Sequence, residues 1–340
     1  MNKLTLVIAL ITSSINFSFG GSSPSSSDET YDPVGPILHH ISDAHEWHLW
    51  GEGESSFTIP LPVILFTEGN LDVFMSSEFN HGETNVIIGD RTYSIDSHSH
   101  IKELSGKGVL DFSITKNVAS MLLSIIVMAL IFIISGSKSK KTNSSPKGML
   151  AFVEPLVLFV RDDIIKPNIG KGYEKYLPYL LTLFFFILIN NLMGLLPGAA
   201  NVTGNIAITL VLSVITLFVT NLSANKEYWG HIFKPPGVPL ALMPIMIPIE
   251  IVGVFTKPFA LMIRLFANIS AGHIIILSLI SLIFMAQSAL GTGAAFGVAP
   301  VSVLFVLFMY LIEVLVAFLQ AYIFTLLTSL FIGLATVEHH

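Results

Sequence analysis

Two apolar stretches near the end of this chain, Leu240 to Leu290 and Phe296 to Leu334, run about 50 and about 40 residues, where a helix crossing a bilayer at right angles needs roughly 20. A helix that is apolar all round is buried or lies in lipid. At this length it must also tilt steeply or protrude. The connection between the two stretches, Leu290-Gly291-Thr292-Gly293-Ala294-Ala295, is small and flexible, which predicts one long antiparallel hairpin lying obliquely in the membrane. Composition agrees: 52% of the residues are hydrophobic and 12% charged, against roughly 25% charged in soluble domains. The absence of cysteine excludes disulfides and thiolate metal sites.

Ahead of the hairpin the chain changes solvent near Ile114. From Gly21 to Ser113 fifteen Asp or Glu stand against three basic residues, Arg91, Lys102 and Lys107, whereas Ser137 to Lys175 carries eight basic residues against four acidic. Short cytoplasmic loops are enriched in Lys and Arg, so Lys138, Lys140, Lys141 and Lys147 are expected in the cytoplasm and the acidic region outside. Lys3, then the apolar run Leu4 to Ile11, then Ser18 and Gly20 have the layout of a secretory signal peptide. The expected organisation is a signal peptide at 1–20, an exported, periplasmic extension at 21–113 and a first transmembrane helix at 114–136. A cytoplasmic loop with an amphipathic helix follows at 137–178, a transmembrane hairpin at 179–222 and a cytoplasmic loop at 223–239. The long tilted hairpin occupies 240–335 and a cytoplasmic tail 336–340. This is an all-α integral membrane protein of about five membrane-crossing helices plus one interfacial helix. Its N-terminus is expected to be periplasmic and its C-terminus cytoplasmic, with some β structure in the extension.

Within the extension, Phe57 to Phe66 reads as strand and Asn85 to Ile95 as a hairpin turning at Gly89-Asp90. Seven histidines lie there, including His39, His40, His45 and His48. No cysteine or HExxH pattern accompanies them, so solvated surface histidines are expected, and no metal or cofactor. Gly148 to Lys166 places apolar residues at Met149, Phe152, Val153, Leu156, Phe159 and Val160, with Glu154, Arg161, Asp162 and Asp163 elsewhere. That is a helical stripe, which Pro155 is expected to interrupt. Asn190 and Asn191 fall inside the next helix, where an amide commonly bonds a neighbouring helix.

The long hairpin holds nearly all the ionisable groups of the apolar half: Glu250, Lys257, Arg264, His273 and Glu313, with Gln320 beside them. A charge at the bilayer centre costs roughly 2.5 to 3.5 kcal/mol on insertion scales, so each is a functional candidate and Arg264 the costliest. Glu250 and Lys257 also fit side chains that snorkel toward the interface. In an antiparallel hairpin, residues equidistant from the turn share a depth. Arg264 and Gln320 have their midpoint at residue 292, and His273 and Glu313 at residue 293, both inside the connection. Two polar layers result, about 13 Å apart along the helix, the His273/Glu313 layer nearer the outside. At about 100° per residue Asn268 lies near the Arg264 face and His273 points the opposite way.

The run from Thr256 to His273, with Arg264-Leu265, Asn268 and Ala271-Gly272-His273, closely resembles the signature helix of ATP synthase subunit a. Asn191-Leu192-Met193-Gly194-Leu195-Leu196-Pro197, the Glu250-to-Arg264 spacing, and Glu313 through Gln320 are similar to that family too. The resemblance covers about Val109 to the C-terminus. Some members carry the acid and the imidazole of the outer layer in exchanged positions; this chain has His273 and Glu313. Where some have an acid before Leu-Leu-Pro, it has Gly194.

The resemblance implies a bacterial inner-membrane subunit, the proton-translocating stator of a rotary ATP synthase. Its implied partners are the c-subunit ring, the b-subunit peripheral stalk and the rest of the F0F1 complex, with no nucleic acid. It implies an outer aqueous half-channel lined by Asn268, His273, Glu313 and Gln320, an inner one at Glu250, and Arg264 meeting the mid-membrane carboxylates of the ring. His273 and Glu313 at one depth suit a proton relay, or a pair that braces the hairpin. Small residues at Ala267, Ser270, Ala271 and Gly272 are expected to let the ring approach closely. The rival class is a self-contained ion transporter or channel, which calls for a second buried cluster or an inverted repeat; the sequence has neither. No phosphate-binding loop, nucleophile elbow or HExxH motif occurs, so ATP chemistry is expected in other subunits.

Overall fold

The computed structural model describes residues 33–35, 37, 42–50, 57–82, 84–96, 99–139, 147–196, 198–234, 239 and 242–336. The signal-peptide expectation at 1–20 lies outside the described residues, as do His39, His40, Lys140, Lys141 and residues 337–340 of the expected tail. The chain forms two compact units. One takes the described residues of Met1–Leu122 with Met193–Val202 and Gly272–Leu311; the other takes Leu123–Leu192, Thr203–Ala271 and the described part of Ile312–His340.

The first unit holds the strands: β1 (Glu46–Trp50), β2 (Phe57–Pro60), β3 (Pro62–Thr67), β4 (Asn70–Met75), β5 (Val86–Ile88), β6 (Arg91–Ile95), β7 (Ile101–Glu103) and β8 (Val109–Asp111). β1 pairs with β2, β3 lies between β4 and β8, and β6 between β5 and β7. The expected hairpin is present: Ile88 pairs with Arg91 across Gly89-Asp90, and Gly89 takes φ +61°, the left-handed region that two-residue hairpin turns need. The run Phe57 to Phe66 is two strands rather than one. Pro60 and Pro62 remove ladder donors on either side of Leu61, whose N–H is bonded instead by the Ser76 hydroxyl at 3.0 Å. Inward-facing Val63 and Leu65 alternate along β3 and pack with Phe74, Phe79, Val86, Tyr93 and Ile101.

Polar groups inside this core are paired. The Tyr93 hydroxyl donates to Asp72 at 2.6 Å, and Arg91 reaches the other carboxylate oxygen of Asp72 at 2.7 Å. His45, expected as a solvated histidine, is 6% exposed and bonded to Asp111 at 2.9 Å. Burial pushes the Asp111 carboxyl up, but hydrogen bonds with His45 and Ser113 outweigh it and hold it at about 2.

The helices are α1 (Lys116–Ser139), α2 (Met149–Phe159), α3 (Lys166–Ile169), α4 (Leu177–Gly194), α5 (Ile206–Leu222), α6 (Lys226–Phe233), α7 (Met243–Leu290) and α8 (Thr292–Thr336). Helices α1, α4, α7 and α8 are each long and apolar enough to cross a membrane, and α5 with α6, bent by 102°, gives a fifth span if counted as one. Part of the loop expected at 223–239 is therefore helix.

Pro155 does not interrupt the helical stripe but sits inside α2. Ala151, whose carbonyl it leaves without an intrahelical donor, is exposed. The irregularity comes later, as a π-helical turn over Val160–Ile165. Its wider winding brings residues five apart onto one side, and Val160, Ile164, Ile165 and Ile169 are all buried.

At 1.5 Å per residue, α7 and α8 measure about 72 and about 68 Å, more than twice the roughly 30 Å hydrocarbon core. They are joined by Gly291 alone, a tighter connection than the expected Leu290 to Ala295. Its φ of +85° is accessible to glycine without steric cost. Farther down the hairpin, the Lys257 ammonium lies 5.6 Å from the centre of the Phe331 ring, a contact whose midpoint, residue 294, fits the antiparallel register. Leu261, Leu265 and Ile269 of α7 and Ala321, Phe324 and Ile332 of α8 share one core with Leu180, Phe184 and Ile187 of α4. At Gly333 an added Cβ would collide with the Asn168 carbonyl of α3, so only glycine allows that backbone approach.

Candidate functional site

Leu261, Leu265 and Ile269 face the core, which fixes the rotation of α7 and turns Arg264 about 100° away from it, where it is exposed. Asn268, one turn on, shares that face, together with Ala260, Ala267 and Ala271. Among the described residues Arg264 has neither an ion pair nor a hydrogen bond. The small residues named from the sequence divide, with Gly272 half-buried. Ala267 and Ala271 lie on the exposed face, whereas Ser270 turns away and donates to the Gly204 carbonyl at 3.3 Å.

Gln320 and Glu313 lie on the buried side of α8, 3% and 2% exposed. Ala317 falls between them, and its carbonyl accepts from the Asn191 amide at 3.1 Å. The Asn191 carbonyl oxygen accepts in turn from Thr203 at 2.6 Å. Asn191 is the amide that bonds a neighbouring helix. Asn190 instead donates to Phe186 of its own helix at 2.8 Å, and its carbonyl oxygen has no partner among the described residues.

His273 is partly exposed and lies beside Gly194. A Cβ built there would be 3.9 Å from His273 Nε2, 3.8 Å from the Ala200 carbonyl and 4.0 Å from Asn201 Oδ1. A side chain at position 194 would thus stand in ordinary van der Waals contact with three polar atoms. Asn268 lies on the exposed face of α7, whereas Glu313 and Gln320 are buried on α8.

Glu250 is half-buried, and its charge reaches the Tyr228 phenol. Nearby, Thr216, Thr220, Asn221, Tyr228 and Lys257 line a cavity of about 10 Å³, close to the volume of one water-sized sphere. Sequence reasoning missed this cavity. Two of its walls, Thr216 and Thr220, continue a row of hydroxyls on one face of α5 that begins with Thr209 and Ser213, all four buried. Thr216 also meets the Tyr179 hydroxyl at 3.2 Å. No group of three or more His, Asp or Glu among the described residues is placed to hold a metal ion.

The family model described as ATP synthase A chain matches residues 118–333. Another, described as Domain of unknown function (DUF8433), matches residues 36–122. The chain is 49% identical over 261 residues to ATP synthase subunit a 2 of Chlorobaculum tepidum, covering 74% of this chain and 72% of that one. To ATP synthase subunit a of Chlorobium phaeobacteroides it is 48% identical over 277 residues, covering 77% and 80%. To the subunit a of an Anaeromyxobacter species it is 42% identical over 260 residues, covering 72% and 61%. The chain therefore belongs to the ATP synthase A chain family, the multi-pass bacterial membrane subunits that translocate protons in the stator of the F0 sector.

Proposed function

We propose that Arg264 is the fixed charge that the mid-membrane carboxylates of the c-subunit ring meet in turn, against the exposed face of α7. One observation carries this reading: a guanidinium in a 48-residue apolar helix has no partner among the described residues of its own chain. A charge so placed costs several kcal/mol unless it is paired, so its partner belongs to another molecule. Ala260, Ala267 and Ala271 beside it leave room for a helix to come close.

In this reading protons from the periplasmic side pass Asn268, His273, Glu313 and Gln320 and neutralise a ring carboxylate. Neutralisation is required because an unpaired carboxylate is too costly in hydrocarbon. After nearly a full turn the acid releases its proton into an inner path at Glu250, to which Thr220, Asn221 and Tyr228 add polar walls. It then passes Arg264, which stays charged at all working pH values and pairs carboxylates bidentately. The same positive charge repels protons and so blocks a direct leak between the two paths. Each proton crossing 100 mV supplies about 2.3 kcal/mol, so several are needed per ATP. The b-subunit stalk holds the chain against rotation, its N-terminus is periplasmic and its C-terminus cytoplasmic, and ATP is bound and made by other subunits.

The test is Arg264→Ala in membrane vesicles. Loss of ATP-driven proton pumping in an assembled complex is expected, and retained coupled pumping would defeat the reading.

A further inference from the structure

The extension matches a domain of unknown function and contains none of the residues placed above on the proton path. It is nevertheless braced just before β1 and along it. At one end the Asp43 carboxylate accepts the Asn117 N–H at 3.2 Å, the Ala44 carbonyl accepts the Lys116 N–H at 2.9 Å, and His45 bonds Asp111. The first two contacts tie the start of β1 to the first turn of α1, and the third ties it to β8. Within β1 the Trp47 indole N–H donates to the Gly198 carbonyl at 2.8 Å. There the backbones touch: a Cβ on Gly198, which has φ +76°, would come within 2.6 Å of the Leu49 carbonyl oxygen.

Gly198 belongs to the connection that follows α4, and the same connection supplies the Ala200 carbonyl and Asn201 Oδ1 that, with His273 Nε2, surround position 194. Ala200 and Val202 are each 1% exposed, so this segment is packed in place. From these contacts we infer that the extension is a clamp on proton uptake. Strand β1 holds the connection where its polar atoms serve His273, and Trp47 is the positioning residue. The physical requirement is distance: proton transfer needs donor and acceptor within about 2.6–3.2 Å, directly or through one water, so a connection displaced by about 1 Å lengthens the path by the margin that matters. This inference rests on His273 lying on the uptake path.

The experiment uses the whole F0F1 complex in liposomes. ATP synthesis driven by an imposed proton gradient is measured while pH is varied on the uptake side alone, and then on the release side alone. Trp47→Phe keeps the ring and removes the donor, Gly198→Ala pushes the connection off β1, and His273→Ala is run in parallel. Both clamp variants are expected to assemble, to hydrolyse ATP normally when uncoupled, and to lose several-fold in synthesis rate. The uptake-side pH dependence should shift while the release-side dependence stays native, a pattern that general loosening of the fold does not give. If His273→Ala blocks proton flow while both clamp variants keep the native uptake-side profile, the clamp is overturned and the His273 reading stands. If His273→Ala keeps native flow, that reading falls and takes the clamp with it.

Discussion

In the N-terminal extension, buried charges are neutralised at home. Asp72 meets Arg91 and Tyr93, Glu103 accepts from the Ser105 hydroxyl and the Lys107 N–H, and His45 meets Asp111. The long hairpin does the reverse, carrying Arg264 on its outer face with no partner among the described residues. A charge that stabilises a fold sits where the fold itself can answer it. One that the fold leaves unanswered, in a helix that is otherwise apolar, is held for something that arrives from outside. The two regions should therefore respond to loss of a charge in opposite ways.

The largest effect is expected at Arg264. Replacement by lysine keeps the charge but not the planar bidentate fork, and coupled ATP synthesis should fall by orders of magnitude. The thermal unfolding of the purified subunit should not move, because no internal contact is lost; a clear drop in the unfolding temperature would break the comparison. Next comes Asp72→Ala, which leaves Arg91 partly buried without its carboxylate. Breaking a buried pair costs about 3–5 kcal/mol, so amides of β4 and β6 in the full-length subunit should lose hydrogen-exchange protection. The amides of α7 and α8 should keep theirs.

The smallest effect is a pH response of the extension. Asp111 is held at about 2, below its ordinary 3.8, so the folded state binds its proton less readily than the unfolded chain does. Its contribution is fully present above the ordinary value and is lost as pH falls from about 4 through about 2. Limited proteolysis of the extension should accelerate over that window, and Asp111→Asn should remove the acceleration specific to it.

Much of the hairpin was legible in the sequence because the bilayer imposes few solutions. Apolar length, a turn within Leu290 to Ala295 and the antiparallel register about it all follow from period and distance, although the turn proved to be Gly291 alone. The contact of Lys257 with Phe331 bears out the register, and burial of Leu261, Leu265 and Ile269 bears out the rotation that exposes Arg264 and Asn268. What escaped depended on tertiary choices that local pattern does not encode. Pro155 stays inside α2, with Ala151, the residue four before it, exposed. The π-helical turn at Val160–Ile165 follows from packing that needs residues five apart on one side. Ser270 looks like a neighbour of Ala267 and Ala271 until Gly204 offers it a carbonyl, and His45 looks like a surface histidine until Asp111 folds back to it from sixty-six residues away.

The most direct test of this account is a map of the assembled complex detailed enough to place the Arg264 side chain. The account predicts its guanidinium within hydrogen-bonding distance, about 2.7–2.9 Å, of a carboxylate from a different chain. A guanidinium standing in open water, or bonded permanently to a group of its own chain, would contradict it.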